Sequence, residues 1–346
     1  MAGHAALRER IERICADADD DRALRLRLLA VLHRSLGFDA YAWVLTDPRT
    51  RVGGAPLADV PCLPELPQLI RLRYLTRLNR WTGLAPDPVA LLSSATGGDL
   101  GRSELWRELL CRHDVADVAS VVFRDAWGCW AFLELWRTGG RVFGADDAAV
   151  LRAVVPCVTT ALRRSQARTF AGPPPPGPPP GPLVLLLSPD LRSVRATPGT
   201  EEALRRLVPR DDAGPPVPAG AYNVAAQLLA VEAAVDDAPP EARVHLAAGR
   251  WLVLRAARVG DPVAGDIAVT VDEAGPVDRL DLYVRCAGLS PREVELVGHL
   301  AAGADTREVA GRMCISRHTV QDHLKSVFDK TGVRSRRTLL ARAAGR

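Results

Sequence analysis

Residues Leu289–Val333 read LSPREVELVGHLAAGADTREVAGRMCISRHTVQDHLKSVFDKTGV, three apolar-periodic segments separated by tight breaks. Ser290 offers a capping oxygen, Pro291 stands at the first helical position and Glu293 follows three residues on, so a capping box opens a helix here. Val294, Leu296, Val297 and Leu300 form its inner stripe, and Ala302-Gly303-Ala304-Asp305 stops it at a glycine free to take positive φ. Thr306 is the expected cap of a second helix, Arg307–Met313, which buries Val309, Ala310 and Met313 and leaves Arg307 and Arg312 outside. After a break at Cys314-Ile315, Ser316 caps a third helix, Arg317–Thr331, whose apolar face is Val320, Leu324, Val327 and Phe328.

Two short helices joined by a turn of about 3–4 residues, the second longer and polar on its outer side, form the helix-turn-helix pattern of DNA-binding modules. Gln321, Asp322 and Lys325 share that outer side, with Arg317, His318, Thr319 and His323 nearby to meet phosphate. An exposed charged helix alone is usually a solvated face; the tandem is what points to DNA.

These residues also carry a family resemblance. LSPRE, the Ala-Ala-Gly before the second helix, Thr306-Arg307-Glu308-Val309-Ala310, Ile315-Ser316-x-x-Thr319-Val320-x-x-His323-Leu324, and Lys330-x-Gly332-Val333 followed by Arg334-Ser335-Arg336 occur in order. Together they resemble the LuxR-type DNA-binding domain of bacterial transcription regulators, over about 58 residues without a gap. One departure is Thr331, where the family usually has leucine. The resemblance implies that Gln321, Asp322 and Lys325 face bases, and that Arg307, Ser316, Arg317, Thr319, His323 and Arg336 contact phosphate. A carboxylate at Asp322 repels phosphate but can accept from cytosine N4, so it would narrow sequence choice. The last helix, Arg336–Ala344, resembles the family's dimerising element; the implied partners are double-stranded DNA and a second copy of the chain, with RNA polymerase as a further one.

Charge supports the same end of the molecule. Of 45 Lys+Arg and 41 Asp+Glu, residues 289–346 hold 11 and 6, a net +5, leaving −1 on the preceding 288 residues. A nucleic-acid module attached to a neutral body has this asymmetry. Both lysines of the chain, Lys325 and Lys330, lie in the third helix. A Walker A ATPase, a phosphoacceptor receiver domain and a Schiff-base enzyme each need a lysine upstream, so none of them is expected.

The seven cysteines are scattered, with no C-x-x-C, as in a reduced cytoplasmic protein. The N-terminus does not resemble a signal peptide, and no apolar run approaches about 18 residues. The seven histidines show no metal-ligand spacing, so no metal is expected. No nucleophile elbow, phosphate loop or paired carboxylates mark a catalytic residue, and no particular cofactor is indicated.

Upstream, helical patterns over Ala5–Cys15 and Arg22–Leu36 precede strands at Phe38–Leu45 and Val52–Val60. Helical spacing follows over Leu63–Leu78 and Ser103–Cys111, then a hairpin of Val118–Phe123 with Cys129–Trp136, and a long helix, Ala145–Ala167. This order resembles the GAF fold of small-molecule sensors, placing a GAF-like domain at 1–170. Gly172–Pro182 holds eight prolines in eleven residues, a polyproline spacer assigned to 171–182. Leu183–Leu187, Ser193–Ala196, helices Pro198–Leu207 and Ala221–Val235, and strands Arg243–Leu246, Trp251–Ala257 and Asp266–Val271 resemble a PAS-like domain, 183–275. Pro276–Cys286 is a connecting helix within 276–288, leading to the helix-turn-helix domain at 289–346. The expected fold class is thus multidomain α+β: GAF-like and PAS-like sensor domains followed by an all-α, four-helix LuxR-type domain.

Pockets in such sensor folds lie between sheet and helices. Tyr41, Trp43, Trp127, Cys129 and Trp130 are the candidates to line one for a small-molecule ligand, although aromatic residues in strands are more often plain core and a cysteine among them an inert thiol. Three functions remain in view: a ligand- or partner-controlled transcription regulator, a promoter-recognition protein like sigma region 4, and a protein-interaction scaffold. The first is the expectation, because the second needs an upstream core-promoter domain that the hairpin and proline spacer do not supply.

Overall fold

The computed structural model describes residues 2–17, 20–172, 181, 183–207, 218–247 and 249–345. Most of the proline-rich run, 173–180 and 182, lies outside them. The architecture is mixed α+β, with two antiparallel five-stranded sheets and a helical C-terminal region.

The first unit opens with α1 (Ala2–Ala16) and α2 (Asp21–Leu36), the latter capped by Asp20 and closed by Gly37 in the left-handed region. β1 (Ala40–Thr46) and β2 (Gly53–Asp59) pair as expected across the turn at Asp47–Val52. α3 covers Leu66–Leu75, shorter than its apolar pattern because residues 63–65 form a 3-10 turn and Thr76 is extended. β3 (Val89–Leu91) and α4 (Leu92–Thr96) were not legible in the sequence, since three residues are too few for a period. The helix expected over Ser103–Cys111 is corrected to a five-residue α5, Glu104–Glu108, followed by a 3-10 turn. β4 (Val115–Asp125) and β5 (Gly128–Thr138) form the expected hairpin, and α6 (Ala145–Arg168) closes the unit.

The second unit contains β6 (Leu183–Leu187), β7 (Ser193–Ala196), α7 (Thr200–Leu207), α8 (Ala219–Glu232), β8 (Glu241–Ala247), β9 (Arg250–Val259) and β10 (Asp266–Glu273). The sheets run β2-β1-β5-β4-β3 and β7-β6-β10-β9-β8. Numbered within each unit, the two strand orders are identical.

Both faces of the first sheet are covered, which is why β4 and β5 are apolar almost throughout. One face meets α2 and α6 through Trp43, Leu133, Leu151 and Leu162. The other meets α3 and α5 through Val118, Trp136, Leu69 and Leu105. The second sheet packs beside it. Gly53 and Gly54 in β2 leave no room for a side chain, because a Cβ at Gly54 would run into Val244 and one at Gly53 into Val44 and Asn223. These two glycines let β8 and α8 approach β2 closely.

Charge locks this seam. The Asp47 carboxylate, 0% exposed, accepts from Arg243 Nε at 2.6 Å and Nη2 at 2.8 Å, and from the backbone N–H groups of Arg49 and Arg243. Burial by itself would raise the Asp47 carboxyl, but the Arg243 guanidinium and those N–H donors outweigh it and hold it below the usual carboxylate range. A second buried pair, Arg80–Asp236 at 3.0 Å, crosses the same seam.

α9 (Pro276–Cys286) then leads into α10 (Pro291–Ala301), α11 (Thr306–Arg312), α12 (Arg317–Thr331) and α13 (Arg336–Ala344). One apolar cluster continues from α2 and α6 through Tyr283 of α9 to Leu296, Val320 and Leu339. Among the described residues no helix is long and apolar enough to cross a membrane.

Candidate nucleic-acid interface

The capping box opening α10 is formed: Ser290 Oγ accepts from Glu293 N, and Glu293 Oε2 accepts from Ser290 N at 2.6 Å. Glu293 also joins α10 to α12, accepting from Lys330 Nζ at 2.7 Å and Ser326 Oγ at 2.6 Å. Burial would raise this carboxyl, but Lys330, Ser326 and the Ser290 N–H bring it down to about 2. Leu296, Val297 and Leu300 are buried; Val294, placed on the inner stripe by its spacing, is instead 38% exposed. Asp305, not Thr306, caps α11, its carboxylate accepting from Arg307 N and Glu308 N. Thr306 begins the helix. The pattern S/T/D/N before an apolar run fits both residues, and the backbone turn after Gly303 selects Asp305.

Cys314 at φ 54 makes the sharp turn between α11 and α12. Ser316 caps α12 by accepting from Thr319 N at 3.0 Å. Val320, Leu324 and Val327 are buried below, against α10 and α11. On the opposite side Gln321, Asp322 and Lys325 are exposed together, flanked by exposed Arg317 and half-buried Thr319 and His323. Asp322 hydrogen-bonds with His318 one turn back at 2.9 Å.

The remaining phosphate candidates divide. Arg307 is exposed at the N-terminus of α11, and Ser316 is exposed at that of α12, where backbone N–H groups favour anions. Arg336 is half-buried, and its Nη2 donates to Ala304 O at 2.7 Å, so its guanidinium joins α13 to the turn before α11. α13 turns Leu339 and Ala343 inward against α9, and Arg279 of α9 donates to Arg342 O.

The joint between this domain and the rest was invisible in the sequence. Trp127, in the β4–β5 turn, donates from Nε1 to Leu289 O at 2.9 Å, immediately ahead of α10. Arg163 of α6 lies 4.4 Å over its ring and reaches Cys286 O. Arg285 donates to Trp127 O at 3.0 Å and pairs with Asp281, which also accepts from Arg243 Nη1 at 2.7 Å. A polar chain thus runs from Asp47 through Arg243, Asp281, Arg285 and Trp127 to Leu289.

None of the five candidate ligand residues lines the cavity of about 680 Å³ beside β1. Tyr41 and Trp43 point to the α2–α6 face, where Trp43 stacks on Phe123 at 5.4 Å and Trp130 is fully buried. Trp127 serves the joint. Cys129 packs in the apolar layer shared by the two sheets, and burial pushes its thiol up, which keeps it protonated. That cavity lies on the opposite face of β1, where period 2 places Ala42 and Val44. Its polar wall, including Arg73, Glu134 and Asn223, went unflagged. The available signal was Glu134, a charge inside the apolar run Cys129–Trp136.

Residues 287–343 match the family model described as bacterial regulatory proteins, luxR family. Among curated proteins, the chain is 42% identical over 57 residues to the probable HTH-type transcriptional regulator GfsR of Streptomyces halstedii, covering 16% of this chain and 24% of that one. It is 45% identical over 53 residues to the probable transcriptional regulatory protein SgaR of Hyphomicrobium methylovorum, covering 15% and 25%. The matched part therefore spans about a quarter of each relative. A crystal structure of Escherichia coli SdiA aligns over 98% of this chain and 97% of that chain, with 12% identity and a TM-score of 0.39.

Proposed function

We propose that this chain, which ends in a DNA-binding domain of the luxR family of bacterial regulatory proteins, is a sequence-specific transcription regulator whose output is set by the two sheet-containing units before it. The observation that carries the reading is the outer face of α12: Gln321, Asp322 and Lys325 stand exposed side by side over a buried stripe seated on α10 and α11. In a major groove, Gln321 would pair with an adenine edge, Asp322 would accept from cytosine, and Lys325 would donate to guanine or phosphate. Arg307, Ser316, Arg317, Thr319 and His323 would hold the backbone and fix the register. Arg336 would act mainly by bracing α11.

The common strand order of the two sheets supports reading 1–170 as a GAF-like and 183–275 as a PAS-like sensory domain, with 276–288 as connector and 289–346 as output. A dimer on a pseudo-palindrome would place two α12 helices about 34 Å apart. Because Leu339 and Ala343 face α9, such a dimer would use the outer side of α13, where Arg337 and Thr338 are exposed. RNA polymerase is the downstream partner this function requires.

Selection of bound sites from random duplex DNA, followed by fluorescence anisotropy at several salt concentrations, tests the reading. Lys325→Ala is expected to weaken all sequences and to flatten the salt slope by about one charge, whereas Gln321→Ala relaxes choice at one base pair. Unchanged affinity and slope in Lys325→Ala would remove α12 from the groove.

A further inference from the structure

Two thiols on neighbouring helices play no part in the DNA-binding reading. α1 and α6 pack along one another, and Ile11, Ile14 and Cys15 of α1 share one apolar cluster with Val154, Val158 and Leu162 of α6. Cys157 of α6 lies at the margin of that cluster. There the Cys15 and Cys157 thiols are in hydrogen-bonding contact across the helix–helix interface. Nothing in the spacing of the seven cysteines along the chain brings these two together; the packing of the first helix on the last one of the unit does.

The two sulfurs are not equivalent. Cys15 is buried, whereas Cys157 is half-buried and reachable from solvent. The hydrogen bond from Cys15 holds the Cys157 thiol below its ordinary value against the opposing effect of burial, while the same bond, together with burial, pushes Cys15 up. As a thiol, Cys157 Sγ donates to Val154 O at 3.1 Å; as a thiolate it accepts from Cys15. Arg8 and Glu12 stand beside the pair on the same face of α1 as Cys15, and, bonded to each other at 2.8 Å, they largely cancel. The other five cysteines lie on other elements. Cys62, Cys129 and Cys286 are buried, and burial pushes each thiol up, which keeps it unreactive. Cys111 and Cys314 are exposed, one on the 3-10 turn after α5 and one on the turn before α12.

We propose that Cys157 and Cys15 are a redox-active pair that a hydroperoxide converts to a disulfide between α6 and α1. Cys157 is the attacking group, because it is the thiol that is both reachable and easier to ionise. Its thiolate sulfur attacks one peroxide oxygen, the O–O bond breaks, and the departing alkoxide or hydroxide takes up the proton that Cys157 released, leaving a sulfenic acid. The Cys15 sulfur then attacks the Cys157 sulfur; the S–O bond breaks, and the hydroxide leaves with the Cys15 proton as water. Two electrons pass from the two sulfurs to the peroxide, which ends as one alcohol and one water, or as two waters. A small dithiol reverses the bridge by thiol–disulfide exchange, starting at the more exposed sulfur. The bridge would tie the first helix, near the N-terminus where fraying is easiest, to the helix that also carries Arg163 to Trp127 and Cys286 O. This inference does not rest on the regulator reading.

The test uses the full chain, reduced and freed of reductant, with hydrogen peroxide as the probe. After a short exposure the remaining thiols are blocked with N-ethylmaleimide, and the protein is digested without reduction for mass spectrometry. The expected product is a linked peptide pair joining Cys15 to Cys157, formed at least about tenfold faster than oxidation of Cys111 or Cys314 and removed by dithiothreitol. In Cys15→Ser the reaction should stop at a sulfenic acid on Cys157, which dimedone traps; in Cys157→Ser, Cys15 should stay reduced at the same dose. Circular dichroism shows whether the variants are folded, and the linked peptide of the unaltered chain decides the matter without them. Hydrogen exchange of the oxidised chain should slow across α1, and dithiothreitol should restore it. Cross-links dominated by Cys111 or Cys314, a chain with no Cys15–Cys157 peptide, or a folded Cys157→Ser in which Cys15 oxidises as readily as before would overturn the proposal.

Discussion

Replacing Asp47 by asparagine keeps the shape of the side chain and removes its charge, which exposes what the seam between the sheets depends on. Asp47 and Arg243 have side chains 0% and 1% exposed and share two hydrogen bonds, at 2.6 and 2.8 Å. In Asp47→Asn the guanidinium keeps only Asp281, itself 32% exposed, as a counter-charge. Breaking a buried pair on one side costs about 3–5 kcal/mol, because the partner's charge stays out of water. With an unfolding entropy of about 2.1 cal/mol/K per residue over the whole chain, that loss lowers Tm by about 4–7 °C. The double variant Asp47→Asn/Arg243→Met removes the orphaned charge and should recover part of the loss, giving a coupling energy of at least about 1 kcal/mol in a double-mutant cycle. Urea unfolding and calorimetry of the four proteins provide the measurement. The pH dependence has a definite sign. The carboxyl is depressed in the folded state, so its contribution is complete above the unfolded value, about 3.9, and disappears as pH falls through the folded one. A loss below about 1 kcal/mol in Asp47→Asn, or additive single variants, would refute the account of the seam.

Other consequences are accessible to simpler measurements. Glu293, held at about 2, should give α10–α12 packing that is intact above about 4.3 and loosens as pH falls toward 2; an NMR titration of its carboxyl, with Lys330→Met raising the midpoint, checks this. Trp127→Phe deletes the donor to Leu289 O and should cost about 0.5–1.5 kcal/mol, with faster amide exchange at the start of α10 and no change in the first sheet. Gly54→Ala places a methyl group against Val244 and should destabilise by about 1–3 kcal/mol through overpacking at the seam, visible as increased exchange in β2 and β8 together.

Much of the C-terminal domain was readable because its signals are local. Ser290 with Glu293, and Ser316 with Thr319, bond across three residues, so the chain's own order brings them together. The exposed set on α12 follows from the 3.6-residue period and a buried stripe. The β4–β5 hairpin was similarly evident from two apolar runs around a short turn. Where local rules admitted two answers, as with Asp305 and Thr306, the backbone path chose between them.

The upstream half was legible as elements and their order, but its cavity was not. Period 2 tells which residues of β1 share a face, not which face meets a cavity, and with both faces covered Tyr41 and Trp43 looked no different from Ala42 and Val44. The pairing of Asp47 with Arg243, 196 residues apart, and of Trp127 with Leu289, 162 apart, leaves no periodic trace. By itself the sequence determined most of the helix caps and strand runs and the exposed polar side of α12, because those depend on neighbours within a few residues. Only the tertiary structure decided that the two sheets lie against each other, that a cavity remains between them and that Trp127 bonds to Leu289 just ahead of α10. Those outcomes depend on burial and charge pairing between distant segments, and such energies exist only once the chain has folded.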